Sequence, residues 1–292
     1  MKPKQMMEFG SSQSHNCHYN GLMRIVACLI IALLVLSGCS TNWLKATPAP
    51  KPRALSVEAF FRAVKDDNPE TVEDFLKSGF PVNSTNAEGE TALHLAAKSS
   101  RVNIARILIS NKANVNATTK QGSTPINYST SMGHGDMVQL LVDRGANPNI
   151  TSNKEPSAIY FAIMSQNDTL LKTLLDKGAN PNATLGGNPA LYTAAACGTG
   201  KALELLLEHR VNPNVRQKDG GETAMFMAAR QGKGLVEILL KHGADINIKD
   251  WGGKTALDGA IAANKSEYSK QITPYMPDVI KYMRAHGAKT SH

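Results

Sequence analysis

Six asparagines, Asn83, Asn116, Asn149, Asn182, Asn214 and Asn247, follow one another at spacings of 33, 33, 33, 32 and 33 residues. A fixed period of this length means that one small supersecondary unit is copied along the chain. Each copy is too small to bury its own apolar face and must cover it with its neighbours. Two phrases travel with the period. One closes the unit: Asn111-Lys-Ala-Asn-Val-Asn116, Arg144-Gly-Ala-Asn-Pro-Asn149, Lys177-Gly-Ala-Asn-Pro-Asn182 and His242-Gly-Ala-Asp-Ile-Asn247. The other opens it: Gly89-Glu-Thr-Ala-Leu-His-Leu-Ala-Ala97, Gly122-Ser-Thr-Pro-Ile126, Gly221-Glu-Thr-Ala-Met225 and Gly253-Lys-Thr-Ala-Leu257.

The residue types between these phrases describe two helices. Thr91, Thr124, Thr223 and Thr255 stand where a helix begins, and a threonine hydroxyl there can satisfy an orphan backbone N–H. Pro125 follows Thr124 at the first helical position, where its fixed φ suits the helix. Ala96-Ala97 and Ala194-Ala195 allow first helices to approach closely. Second helices carry paired aliphatics, Ile107-Leu108, Leu140-Leu141, Leu174-Leu175, Leu206-Leu207 and Leu239-Leu240, on the face that packs against the next unit. Gly145, Gly178 and Gly243 then end those helices in a left-handed turn.

This pattern resembles the ankyrin repeat, over about residues 55–289. The resemblance implies an all-α solenoid of stacked helix-turn-helix pairs with interrepeat hairpin loops, about seven pairs counting the caps. The caps deviate. Val57 to Phe61 and Val72 to Leu76 make a first pair without the Gly-x-Thr opening, and Tyr268 to Met276 is inserted between the helices of the last pair, whose second helix resumes at Pro277 to Ile280. Repeat three is degenerate at Glu155-Pro156-Ser157. The repeat at Gly220-Gly221 has one extra finger residue and is one short near Gly232 to Gly234.

The N-terminus carries a different signal. Arg24 precedes a twelve-residue apolar run, Ile25 to Leu36, too short for a membrane-crossing helix, which needs about 20 residues, and of the length of a signal-peptide core. The run ends in Leu36-Ser37-Gly38-Cys39, which resembles the bacterial lipobox. That resemblance implies removal of residues 1–38 and lipidation of the Cys39 thiol, with Ser40 directing the protein to the outer membrane. Met1 to Leu22 is polar and foreign to a short leader, so Met23 reads as the start. Residues 39–54, with Pro48, Pro50 and Pro52, read as an extended tether. Of four cysteines, Cys17 and Cys28 leave with the leader and Cys39 is lipidated, so Cys197 has no disulfide partner.

No catalytic or metal-ligating constellation emerges, and no cofactor is expected. His209 and His242 share a repeat position, but successive helices lie about 8–10 Å apart, too far to share a metal. His94 occupies the position where the family's histidine bridges hairpins, and Asn127, Tyr160, Tyr192, Phe226 and Asp258 replace it in the other repeats. Gly198-Thr-Gly200-Lys201 lacks the first glycine and the last Ser/Thr of a phosphate loop and reads as an interhelical turn. Cys197 reads as a small packed residue.

Ankyrin proteins bind through the concave face formed by hairpin tips and exposed first-helix positions. Transferred to this chain, that face presents a basic row, Lys120, Lys154, Arg216, Lys218 and Lys249, interrupted by Asp219 and Asp250. Met132, Met164, Cys197 and Arg230 add a soft stripe, and Trp251 at a tip reads as an aromatic anchor. A formal net charge of +8 points to an acidic partner or an anionic surface, and the expected partner is an acidic-surfaced protein. No nucleic acid is expected, and the unbound chain is expected to be monomeric. Exported ankyrin lipoproteins of Gram-negative bacteria include immunity proteins against type VI secreted lipases and phospholipases, and that role is the leading expectation. The alternative is a periplasmic adaptor or envelope-stress partner, such as a catalase-associated ankyrin protein.

Overall fold

Helices of seven to ten residues are too short to stand alone in water, so each depends on tertiary packing for its stability. The computed structural model describes residues 56–150, 156–265 and 274–291, all within the compact unit Leu55–His292. The leader, Cys39, the tether, Lys154 and most of the 268–276 insertion lie outside the described residues.

The expected seven helix pairs are present: α1 (Val57–Lys65) with α2 (Pro69–Lys77), α3 (Ala92–Lys98) with α4 (Val102–Ser110), α5 (Pro125–Ser131) with α6 (Gly135–Asp143), α7 (Ala158–Met164) with α8 (Asp168–Asp176), α9 (Ala190–Ala196) with α10 (Gly200–Glu208), α11 (Ala224–Gln231) with α12 (Lys233–Lys241), and α13 (Ala256–Ala263) with α14 (Met276–Ala285). First helices pack on first helices, and second helices on second helices. Ala96, Ala97, Ala194 and Ala195 are fully buried, as are Leu108, Leu141, Leu174, Leu206 and Leu239. These leucines recur with the sequence period and form one continuous core. The first pair closes that core with aromatic rings. Phe60 lies 4.8 Å from Phe80 and 5.5 Å from Phe75, centroid to centroid.

The period itself has a hydrogen-bonding cause. The side-chain oxygens of Asn83, Asn116, Asn149 and Asn214 accept from the backbone N–H of Asn114, Asn147, Asn180 and Asp245 in the following unit, at 2.7–2.8 Å. Asn247 does the same for Lys289 at 2.8 Å. Each closing phrase is thereby tied to the next. Among the described residues the ladder is interrupted only after Asn182, where the period shortens to 32.

Among the described residues, that shortened unit carries the one two-stranded hairpin, β1 (Thr184–Leu185) paired with β2 (Asn188–Pro189). Gly186 and Gly187 turn it with φ of 57° and 84°, the two positive values a tight hairpin loop requires. The altered repeat at Gly220-Gly221 also has the expected form. Its finger bridges Arg216 to Thr223, one residue longer than Thr85 to Thr91 or Lys249 to Thr255, and Gly232 alone links α11 to α12.

The threonine caps depart from expectation. Thr255 accepts from Asp258 N–H, and Thr91 pairs its hydroxyl with His94 Nδ1 at 2.9 Å. The hydroxyls of Thr124 and Thr223 are buried without a partner. The difference lies three residues on. His94 and Asp258 reach back to their threonines, whereas Phe226 has no polar group and the Asn127 amide makes no bond to Thr124.

The same position links hairpins in four of the repeats. His94 Nδ1 accepts from the Thr91 N–H at 3.1 Å, so Nε2 carries the proton and donates to Ser123 O at 3.1 Å. Tyr160 donates to the carbonyls of Ala183 and Asn188. Tyr192 donates to Glu222 at 2.8 Å, and Asp258 accepts from Ser291 N–H at 3.0 Å. Three residue types at four repeat positions thus perform one structural task, as expected for His94. Asn127 leaves both amide atoms buried and unpaired.

Candidate functional site: the finger and first-helix face

Successive hairpin tips are joined by single backbone hydrogen bonds. Lys120 N–H donates to Glu88 O at 3.1 Å, Lys218 to Gly187 O at 3.0 Å and Trp251 to Gly220 O at 2.9 Å. A glycine lies at each contact because the next finger crosses it closely. A Cβ on Gly187 would meet the Lys218 side chain at 2.7 Å, and one on Gly221 the Trp251 ring at 2.4 Å.

Trp251 is 62% exposed, yet it is not free. Its indole rests on Gly221, its Nε1–H donates to Lys218 O at 3.2 Å, and Arg216 stacks on the ring. Arg216 is half-buried and donates to the carbonyls of Gly221 at 2.9 Å and Lys249 at 2.6 Å. The guanidinium thus satisfies backbone carbonyls of two adjacent fingers. Lys120 and Lys218 remain exposed, while Lys249 reaches toward Ser291 O at 3.5 Å.

The soft stripe is staggered. Met164 and Arg230 occupy the seventh position of their helices, whereas Met132 and Cys197 are C-caps. Met132 and Met164 are 51% and 57% exposed. Cys197 is half-buried against the core, and burial pushes its thiol pKa up, which opposes the thiolate that redox chemistry needs. Arg230 donates to Glu222 at 2.9 Å. It therefore presents a neutralised pair to a partner.

Sequence reasoning missed two residues here. Tyr275 is 36% exposed and donates to Arg230 O at 3.0 Å. Gly259 underlies an open cleft of about 700 Å³, walled by Glu222, Arg230, Asp250, Lys254 and Lys265. The signal for Gly259 was present: the matching position in earlier first helices holds Leu95, Tyr128, Phe161, Thr193 and Met227.

The polar groups of this face are arranged for structure. Tyr192 is pushed up to about 12, first by burial and then by its bond to Glu222. Burial works against ionised Glu90, but bonds from Asn86 and Tyr128 prevail and hold its carboxyl below the ordinary range. His209 and His242 are the C-caps of α10 and α12. Gly198 to Gly200 form the turn into α10, and Lys201 pairs with Glu204 at 3.3 Å. Among the described residues no cluster of three His, Cys, Asp or Glu could hold a metal ion, and no helix is long and apolar enough to cross a membrane.

Comparison with known proteins gives one pattern. A putative ankyrin repeat protein of Pyrobaculum aerophilum is 39% identical over 80 residues, 27% of this chain and 30% of that protein. The E3 ubiquitin-protein ligase KEG of Arabidopsis thaliana is 29% identical over 110 residues, 36% of this chain. The chain spans only 30% and 7% of the lengths of these curated relatives. The human ASB11 ankyrin repeat domain superposes with a TM-score of 0.62 at 23% identity, covering 79% of this chain and 98% of that one. The ankyrin repeat domain of Bcl-3 gives 0.61 at 22%, covering 76% and 97%. At these identities the two structures speak for the fold alone. The family model for ankyrin repeats matches three times, over residues 60–152, 146–217 and 202–282. With that match spanning most of the chain, and with the paired helices and Asn-tied hairpins described above, the chain belongs to the ankyrin-repeat family.

Proposed function

We propose that the chain is a lipid-anchored, non-catalytic binding protein of the bacterial periplasm that neutralises a secreted lipase or phospholipase by holding it on the finger and first-helix face. Ankyrin repeats are protein-interaction modules, and that coarser statement follows from the family. The finer one is carried by a single observation, the Leu36-Ser-Gly-Cys39 phrase ahead of a chain built of repeats. A tether from Cys39 would keep the binding face beside the outer membrane, where a lipid-attacking toxin acts. Exposed Met132 and Met164 supply adaptable apolar contacts, and Lys120 and Lys218 supply steering charge.

The test has two arms. Labelling with a palmitate analogue should mark the wild-type chain and not Cys39→Ala. If a lipase is encoded by the adjacent gene, cells expressing the chain should survive it and the chain should bind it in a pull-down, whereas Cys39→Ala should bind but protect poorly. Persistent labelling of Cys39→Ala would remove the lipid anchor, and survival independent of the chain would remove the immunity role.

A further inference from the structure

We propose that Met132 and Met164 form a reversible oxidation site, at which conversion of their two thioethers to sulfoxides releases the bound partner. This rests on the reading that the finger and first-helix face binds protein.

Three observations carry it. The first is selective exposure. Met132 and Met164 are 51% and 57% exposed, whereas Met137, Met225, Met276 and Met283 are at most 1% exposed. Met227 is half-buried and packs against the core. Among the described residues, an oxidant in solution therefore meets two methionine sulfurs readily and the others hardly at all.

The second observation is where the two stand. Met132 is the C-cap of α5 and Met164 is the last residue of α7, and these two first helices pack against each other. Both methionines thus lie at the same end of adjacent helices, on the face assigned to the partner. Elsewhere in the stack the same two positions hold Lys98-Ser99, Arg230-Gln231 and Ala262-Ala263, so the repeat does not call for a large apolar side chain there. An exposed thioether adds little to the fold, but it gives a partner an adaptable apolar contact.

The third is what oxidation would leave intact. Neither side chain belongs to the core, while Cys197 and Met227 on the following units do pack against it. A sulfoxide at Met132 or Met164 therefore changes the surface and spares the stack. With hydrogen peroxide as the oxidant, the thioether sulfur attacks one peroxide oxygen, the O–O bond breaks, an S–O bond forms and water leaves. Sulfur gives up two electrons, and the peroxide accepts them. A polar acceptor then stands where an apolar tip was, and a methionine sulfoxide reductase reverses the change. Inside an apolar contact that acceptor loses its water without gaining a donor, which weakens the complex.

The experiment treats the full chain with dilute hydrogen peroxide, follows each methionine by mass spectrometry, and measures affinity for the proposed lipase partner before and after. Met132 and Met164 should oxidise at least about tenfold faster than Met137 and Met225, with no fall in melting temperature. Affinity should drop about tenfold once both are sulfoxides, and treatment with the reductase should restore it. In the double variant Met132→Leu with Met164→Leu, which has no thioether at either position, the same peroxide treatment should leave affinity where it stood before treatment. Unchanged affinity of the fully oxidised wild type, an equal peroxide-driven loss in the leucine variant, or melting that falls as the two sulfoxides form would overturn the proposal. If peroxide has no effect while Lys120→Glu weakens binding, the switch is discarded and the face is kept. If neither has an effect, or the untreated chain does not bind the lipase, both are discarded.

Discussion

The guanidinium of Arg216 lies 4.6 Å from the centre of the Trp251 indole. The indole covers Gly221, to whose carbonyl Arg216 also donates. Cation and ring form one clamp across two fingers, so neither can be altered as an independent binding group. Charge reversal intended to probe electrostatic steering belongs at Lys120 and Lys218, whose ammonium groups are exposed. There it should mainly slow association and reduce its salt dependence, as measured by binding kinetics at several ionic strengths.

Gly221→Ala should break this clamp. The new Cβ would stand 2.4 Å from the indole, at a φ of +71° that alanine rarely adopts. A loss of about 1–3 kcal/mol is expected from the backbone strain, with a shifted Trp251 emission. Unchanged melting and fluorescence would refute the contact.

Asn127→His should stabilise the stack. His94 shows what the position does when its side chain reaches both its own threonine and the next hairpin. Asn127 leaves two buried amide atoms unpaired, and Thr124 a hydroxyl. Restoring partners should contribute about 1 kcal/mol, read as a higher melting temperature. A lower one would mean the site cannot seat the ring.

His94 should make stability fall on acidification. Burial lowers its pKa below the ordinary 6.5, against the opposing bond to Ser123. The unfolded chain therefore takes up the proton first, so the contribution is full above about pH 6.5 and is lost as pH falls through that value. Denaturant titrations of wild type and His94→Asn between pH 7.5 and 5 should show the flatter profile in the variant. Parallel profiles would contradict the buried neutral imidazole.

Leu174→Ala, at a fully buried position, should cost about 2–5 kcal/mol. Since each unit is covered by its neighbours, hydrogen exchange should rise in the flanking repeats as well. An effect confined to α8 would argue against a shared core.

Much of this was legible in the residues. The asparagine period, the leucine pairs and the glycines at Gly145, Gly178 and Gly243 gave seven helix pairs in correct register, because each is a local demand repeated in every unit. The anomalies at Gly220-Gly221 and Gly232 were legible for the same reason, as departures from a template. What stayed hidden depends on partners about thirty residues away. Arg216 reads as a surface cation until Lys249 O and Trp251 are placed beside it; Arg230 pairs nearer by, with Glu222 eight residues back. The missing side chain at Gly259 could have been found by aligning it with Leu95, Tyr128, Phe161 and Met227.

The central claim is that the finger and first-helix face is the surface that binds protein, and methionine footprinting tests it most directly. Met132 and Met164 are half-exposed there, whereas Met137, Met225, Met276 and Met283 are buried in the core and serve as internal references. The chain should be treated with dilute peroxide alone and in complex with the proposed lipase partner, and sulfoxide formation followed by mass spectrometry. Slower oxidation of Met132 and Met164 in the complex, with the buried methionines unreactive in both, is the expected result. Equal oxidation rates at Met132 and Met164 with and without the bound lipase would place the interface elsewhere on the chain.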